Sequence, residues 1–77
     1  MARSTFTLQD AATFKVAANF PSMDSAMRCA IVHARQRGGA LVVVNDRLAA
    51  DFRLMPDGTV SIVATSDMAR DWVAKAA

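Results

Sequence analysis

The stretch ALVVVNDRLAADFRLMPDGTVSIVAT, residues 40–65, holds three apolar runs separated by two turn signals, and the fold follows from how it is read. Asn45 and Asp46 both tolerate positive φ, which a two-residue hairpin demands. Pro56-Asp57-Gly58 makes a second tight turn. Between them Leu48, Ala50, Phe52 and Leu54 alternate with Arg47, Ala49, Asp51, Arg53 and Met55, the period of a half-buried strand. In the third run Val60, Ile62 and Ala64 point inward. The first run, Ala40 to Val44, is apolar on both faces. The expected register turns Val42, Val44 and Val63 away from the core. The reading is an antiparallel meander of three strands.

Upstream, Pro21-Ser22 opens a helix with Ser22 as N-cap and Asp24 near the positive end of the dipole. Met23, Met27, Ala30, Ile31 and Ala34 fall on one face, with Ala26 at its edge. The helix ends near Arg37. Gly38 suits the left-handed position after the last turn, and Arg35 and Arg37 complement the negative end of the dipole. Gly38-Gly39 therefore follows a helix, whereas a phosphate cradle needs glycines before one. Before this helix, TFKVAANF (residues 13–20) alternates, with Phe14, Val16, Ala18 and Phe20 on one face, and predicts a strand. A competing helix from Thr7, with Asp10 in a capping-box-like position, is the weaker fit. Downstream, Ser66 caps a last helix whose packing stripe is Met68, Trp72 and Ala76, with Val73 beside it.

The expected fold class is thus α+β: a single small two-layer domain, order β-α-β-β-β-α, with helices on one face of a mainly antiparallel sheet. Residues 1–11 read as a lead-in and 12–77 as the domain.

At 77 residues the chain can build only a small core, worth about 3–5 kcal/mol. A single cysteine, Cys29, rules out an internal disulfide, so a homodimer or a larger partner is an expected source of support. The longest aliphatic run is far short of the ~20 residues of a membrane helix, and nothing resembles a secretory signal. A cytoplasmic setting without membrane association is expected. Net charge is +2, spread in alternating sign with no basic block. Abundant alanine, arginine and aspartate, with no glutamate or tyrosine, points to a GC-rich bacterial or phage coding source.

One constellation looks catalytic. Ser25, Cys29 and His33 recur every four residues along the first helix, and a thiol beside an imidazole is the beginning of a cysteine nucleophile or half a zinc site. No second cysteine or histidine completes a tetrahedral set, and the expected reading is a half-buried thiol and a boundary histidine. The aspartates Asp24, Asp46, Asp57 and Asp67 each have a turn or helix-start position that accounts for them. No catalytic residue, cofactor or metal is expected.

Two binding readings remain. The expected partner-binding residues are Arg47, Asp51 and Arg53 on the sheet with Arg28 and Arg35 on the first helix, since arginine makes oriented, bidentate contacts with carboxylates. In style the chain resembles phage-encoded inhibitors of host proteins, anti-CRISPR proteins among them, which implies a larger bacterial protein or complex as target. The alternative is nucleic acid. DFRLMPDGTVSIVATSDMARDWVAKAA, residues 51–77, resembles in topology the second half of a double-stranded-RNA-binding domain, which implies a duplex as ligand. Where that family places lysines at the start of its last helix, this chain has Asp67, Met68, Ala69, Arg70 and Asp71.

Overall fold

The computed structural model describes residues 6–76. The elements run β1 (Phe6–Asp10), β2 (Val16–Phe20), α1 (Met23–Arg37), β3 (Gly39–Val44), β4 (Arg47–Leu54), β5 (Val60–Ala64) and α2 (Asp67–Ala76). The strands form one antiparallel sheet in the order β2-β1-β3-β4-β5. Both helices pack on one side of it, closing a core around Leu8, Met27, Val42 and Phe52. The expected β-α-β-β-β-α order is found over Val16–Ala76.

One strand precedes that order. Residues 1–5 of the expected lead-in lie outside the described residues, but Phe6–Asp10 is β1, the link between β2 and the central β3. Phe6 and Leu8 are buried while Thr7 and Gln9 face the other way. Five alternating residues are too few to outweigh a helix-like pattern in the sequence; here the pairing on both sides supplies the missing signal.

The helix α1 forms as its sequence specifies. Ser22 has extended backbone and its hydroxyl accepts from the Ser25 N–H, and Gly38 closes the other end at φ 93° with its N–H on the Ala34 carbonyl. Its buried side is Met23, Ala26, Met27, Ala30 and Ala34. Three small residues on that stripe let the helix lie close to the sheet. Gly39, immediately after, must be glycine for space: a Cβ there would stand 2.9 Å from the Ala11 Cβ and 3.2 Å from the Phe52 carbonyl oxygen.

Two bulges set which way the strands face. Between Leu8 and Gln9 the register to β2 jumps from Ala18 to Val16, so Ala18 and Phe20 stay on the helix side while Val16 pairs with Gln9 on the opposite side. Phe14, expected on the same strand face, sits instead in the β1–β2 connection. In β4, Val42 pairs with Ala50 but Val43 with Leu48, leaving Ala49 extra. The Ala49 carbonyl accepts the N–H groups of Thr65 and Ser66, and the Leu48 carbonyl accepts the Thr65 hydroxyl, tying the bulge to the start of α2.

The consequence is a correction of facing. Val42 is fully buried and Val44 packs against the core, whereas Leu41 and Val43 occupy the other side. Leu48, expected inward, lies across from Val43 and is exposed. Asp51, Arg53 and Val63 face outward as expected. On α2 the stripe is rotated by one residue: Ala69 is fully buried with Trp72 and Val73 against the core, and Met68 is exposed.

The turns carry the positive φ values that the sequence leads one to expect, 51° at Asn45 and 64° at Asp46. Phe14 is less ordinary: an exposed aromatic residue at φ 60°. Left-handed backbone costs a non-glycine residue about 1–2 kcal/mol. Phe14→Gly is therefore expected to raise stability by up to about 1 kcal/mol, the relief being offset in part by the added freedom of the unfolded chain. A higher urea midpoint at unchanged slope would show it.

Candidate protein-docking face

Because both helices share one side of the sheet, no described element covers the other. Reading across the registers, one row of that open face is Val16, Gln9, Leu41, Asp51 and Val63, and the adjacent row is Asn19, Thr7, Val43 and Leu48. Arg53 and Ser61 form a third, beside Gly39. Leu41, Val43 and Leu48 thus make an apolar centre on β3 and β4, and Asp51 stands between Leu41 and Val63. Thr7, Gln9 and Asn19 border it on the β1–β2 side, where the Thr7 hydroxyl donates to the Asn19 side-chain oxygen at 3.0 Å. Asp51 and Arg53 border it elsewhere as an ion pair at 3.5 Å. Apolar centre and polar rim together are the anatomy of a protein interface.

The structure divides the five residues expected to bind a partner. Asp51 and Arg53 are neighbours on the open face. Arg47, displaced by the bulge, pairs with Val44 and so belongs to the helix-bearing side at the end of β4. Arg28 and Arg35 are exposed on α1, on the far side of the molecule from the open face. Arg28 is held by Asp24 through its Nε at 3.0 Å. Leu41, Val43, Leu48 and Val16 escaped sequence reasoning because each bulge inverts the alternation on one side of it; only Val63 was placed correctly from sequence.

The Ser25–Cys29–His33 row does not assemble. Ser25 is engaged with Ser22, whose hydroxyl donates to its oxygen at 3.0 Å. Cys29 is exposed. His33, half-buried, reaches Asp10 at the end of β1, its Nε2 lying 3.1 Å from Oδ1. The Thr13 hydroxyl donates to the other oxygen of Asp10 at 3.1 Å. The His33 hydrogen bond is the main reason the Asp10 carboxyl titrates below its ordinary value, with Thr13 adding to it against some desolvation. The group fastens the β1–β2 connection to α1. Among the described residues no three His, Cys, Asp or Glu side chains gather as metal ligands would.

A second polar clasp joins the helices. The Trp72 indole N–H donates to Asp24 Oδ1 at 2.9 Å, and the Arg28 Nε donates to the same carboxylate. Trp72 first and Arg28 second hold the Asp24 carboxyl below the ordinary 3.8. A depressed folded value means the stabilisation is fully present above the unfolded value and is lost as pH falls through the folded one. Asp24→Asn is accordingly expected to flatten the fall in urea midpoint below about pH 5. An equally steep fall in the variant would remove Asp24 from the acid response.

Comparison of the chain with family models, with curated proteins and with solved structures finds no match.

Proposed function

We propose that this chain is a small non-catalytic protein-binding domain that docks onto a larger protein through the open face of its sheet, in the manner of an inhibitor or adaptor. The observation that carries the reading is the apolar centre Leu41, Val43 and Leu48 on the uncovered side, with Asp51 and Arg53 beside it and Val63 beyond Asp51. An antiparallel sheet with one solvated face normally presents polar residues there. Three aliphatic residues at neighbouring positions of β3 and β4 instead define a patch, and patches of this kind mark interaction sites. The cations do not favour a nucleic-acid duplex. Arg53 is on one side of the sheet, Arg47, Arg28 and Arg35 are on the other, and the start of α2 is acidic at Asp67, so among the described residues these cations form no single basic stripe along a phosphate backbone.

The bacterial or phage origin suggested by composition makes a bacterial lysate the natural test. Tagged wild type and Leu48→Glu are passed in parallel through bacterial lysate with and without nuclease treatment. The expected result is a discrete, stoichiometric protein on the wild type that is missing from a folded Leu48→Glu. A nuclease-sensitive mixture, or a partner that Leu48→Glu retains, would contradict the reading.

A further inference from the structure

The sheet has two edges, and they differ. At β2 the bulge at Ala17 distorts the strand, Lys15 precedes it and Pro21 follows it, devices that discourage pairing. The edge strand β5, VSIVA, has none of these: it carries no charge, and its register to β4 is unbroken from Val60 to Ala64. Its free hydrogen-bonding groups can be assigned. The Thr59 carbonyl accepts from Met55 and the Thr65 N–H donates to Ala49, so the odd-numbered residues bond inward to β4. By alternation along an antiparallel strand, Val60, Ile62 and Ala64 turn their N–H and C=O outward.

Apolar surface flanks that edge on both sides of the sheet. On the helix side lies a cleft lined by Ile31, Ile62, Trp72, Val73 and Ala76. On the open side Val63 is 54% exposed. We propose that β5 pairs with β5 of a second copy of this chain, antiparallel about a two-fold axis at Ile62, giving a homodimer with a continuous ten-stranded sheet. This register sets Ile62 against its own copy and Val60 against Ala64, so that every outward N–H and C=O of the strand finds a partner. Ser61 meets Val63. A two-fold seam brings each strand against itself, so a charge at the axis would face its own like; a strand with no charge avoids that cost. A second copy also brings its own α2 to the same side of the sheet, where the two clefts meet across the axis. A lone foreign strand would complete the ladder and leave the cleft uncovered. The dimer does not depend on the open-face reading, since Leu41, Val43 and Leu48 stay free within it.

The test combines light scattering with residue-resolved amide exchange on the full chain. Wild type is expected at twice the 8.2 kDa chain mass at about 100 µM, with the Val60, Ile62 and Ala64 amides protected from exchange. Ser61→Lys places a cation beside the seam on an exposed position. Ala64→Pro removes an outward N–H, a substitution edge strands tolerate. Both are expected to run as folded monomers with those three amides exchanging rapidly, while Leu48→Glu remains dimeric. A wild-type monomer at that concentration would overturn the proposal. So would a dimer that survives both edge variants and dissociates with Leu48→Glu, or protection of the three amides only when a different protein is added. Loss of partner capture by a dimeric Leu48→Glu would bear on the open face alone.

Discussion

The Val42→Asp variant is expected to be unfolded at neutral pH, and Val43→Asp to fold like the wild type. The two positions are adjacent in an unbroken aliphatic run, and the register expected from the sequence turns Val42 outward. The structure turns it inward. Val42 is fully buried between Leu8 of β1 and Ala50 of β4, against α1, with no buried cation among the described residues. An unpaired carboxylate placed there costs several kcal/mol, as much as the about 3–5 kcal/mol that a core of this size supplies. Val43 lies on the open face between Thr7 and Leu48, and an aspartate there stays hydrated. Its effect on stability should be about 1 kcal/mol, well short of unfolding the chain. Far-UV circular dichroism and a urea titration decide the matter. A folded Val42→Asp together with an unfolded Val43→Asp would reverse the facing of β3 and dissolve the proposed docking face.

Phe52→Ala should be the most damaging truncation in the core, at about 3–5 kcal/mol. Among the described residues Phe52 is the largest fully buried side chain, and seven of the thirteen buried hydrophobic residues are alanine. Alanines cannot extend into the space a lost ring leaves. The helix that would have to move in is already seated close to the sheet through Ala26, Ala30 and Ala34. A Phe52→Leu variant keeps most of the volume and should lose less, about 1.5 kcal/mol. Urea midpoints for the three proteins measure the ladder. Equal losses for leucine and alanine would mean that ring shape, and not filled volume, is what the core requires.

The parts of the fold legible in the sequence are those governed by local chemistry. Ser22 and Gly38 announce both ends of α1 because a capping hydroxyl and a left-handed glycine each solve a problem that exists within one turn of helix. Asn45-Asp46 and Pro56-Asp57-Gly58 mark their turns for similar reasons. The buried side of α1 is read correctly because its apolar residues repeat at helical spacing with polar ones between.

What escapes the sequence depends on non-local pairing. Phe6–Asp10 becomes a strand only because β2 and β3 flank it. The Ala40–Val44 run gives no contrast between faces, so its direction is settled by what packs on it. The extra residue at Ala49 leaves no mark in a stretch reading Leu-Ala-Ala, yet it moves Leu48 to the open face and Arg47 away from it. The candidate site was therefore only half visible: Asp51, Arg53 and Val63, beyond the bulge, were placed correctly, while the apolar centre was assigned to the wrong residues. The arginines that composition brings forward, Arg28 and Arg35, sit on the opposite side of the molecule.

That division makes the decisive measurement a comparison of two surfaces on one partner. The affinity of the captured protein is measured for wild type, for Val43→Glu on the open face, and for Arg28→Glu with Arg35→Glu on α1. Docking through the sheet predicts a loss of at least about 30-fold for Val43→Glu, the scale of a central interface residue, and less than about 3-fold for the helix pair. The reverse pattern, with Val43→Glu binding as wild type and the helix pair abolishing the complex, would place the interface on α1 and contradict the account.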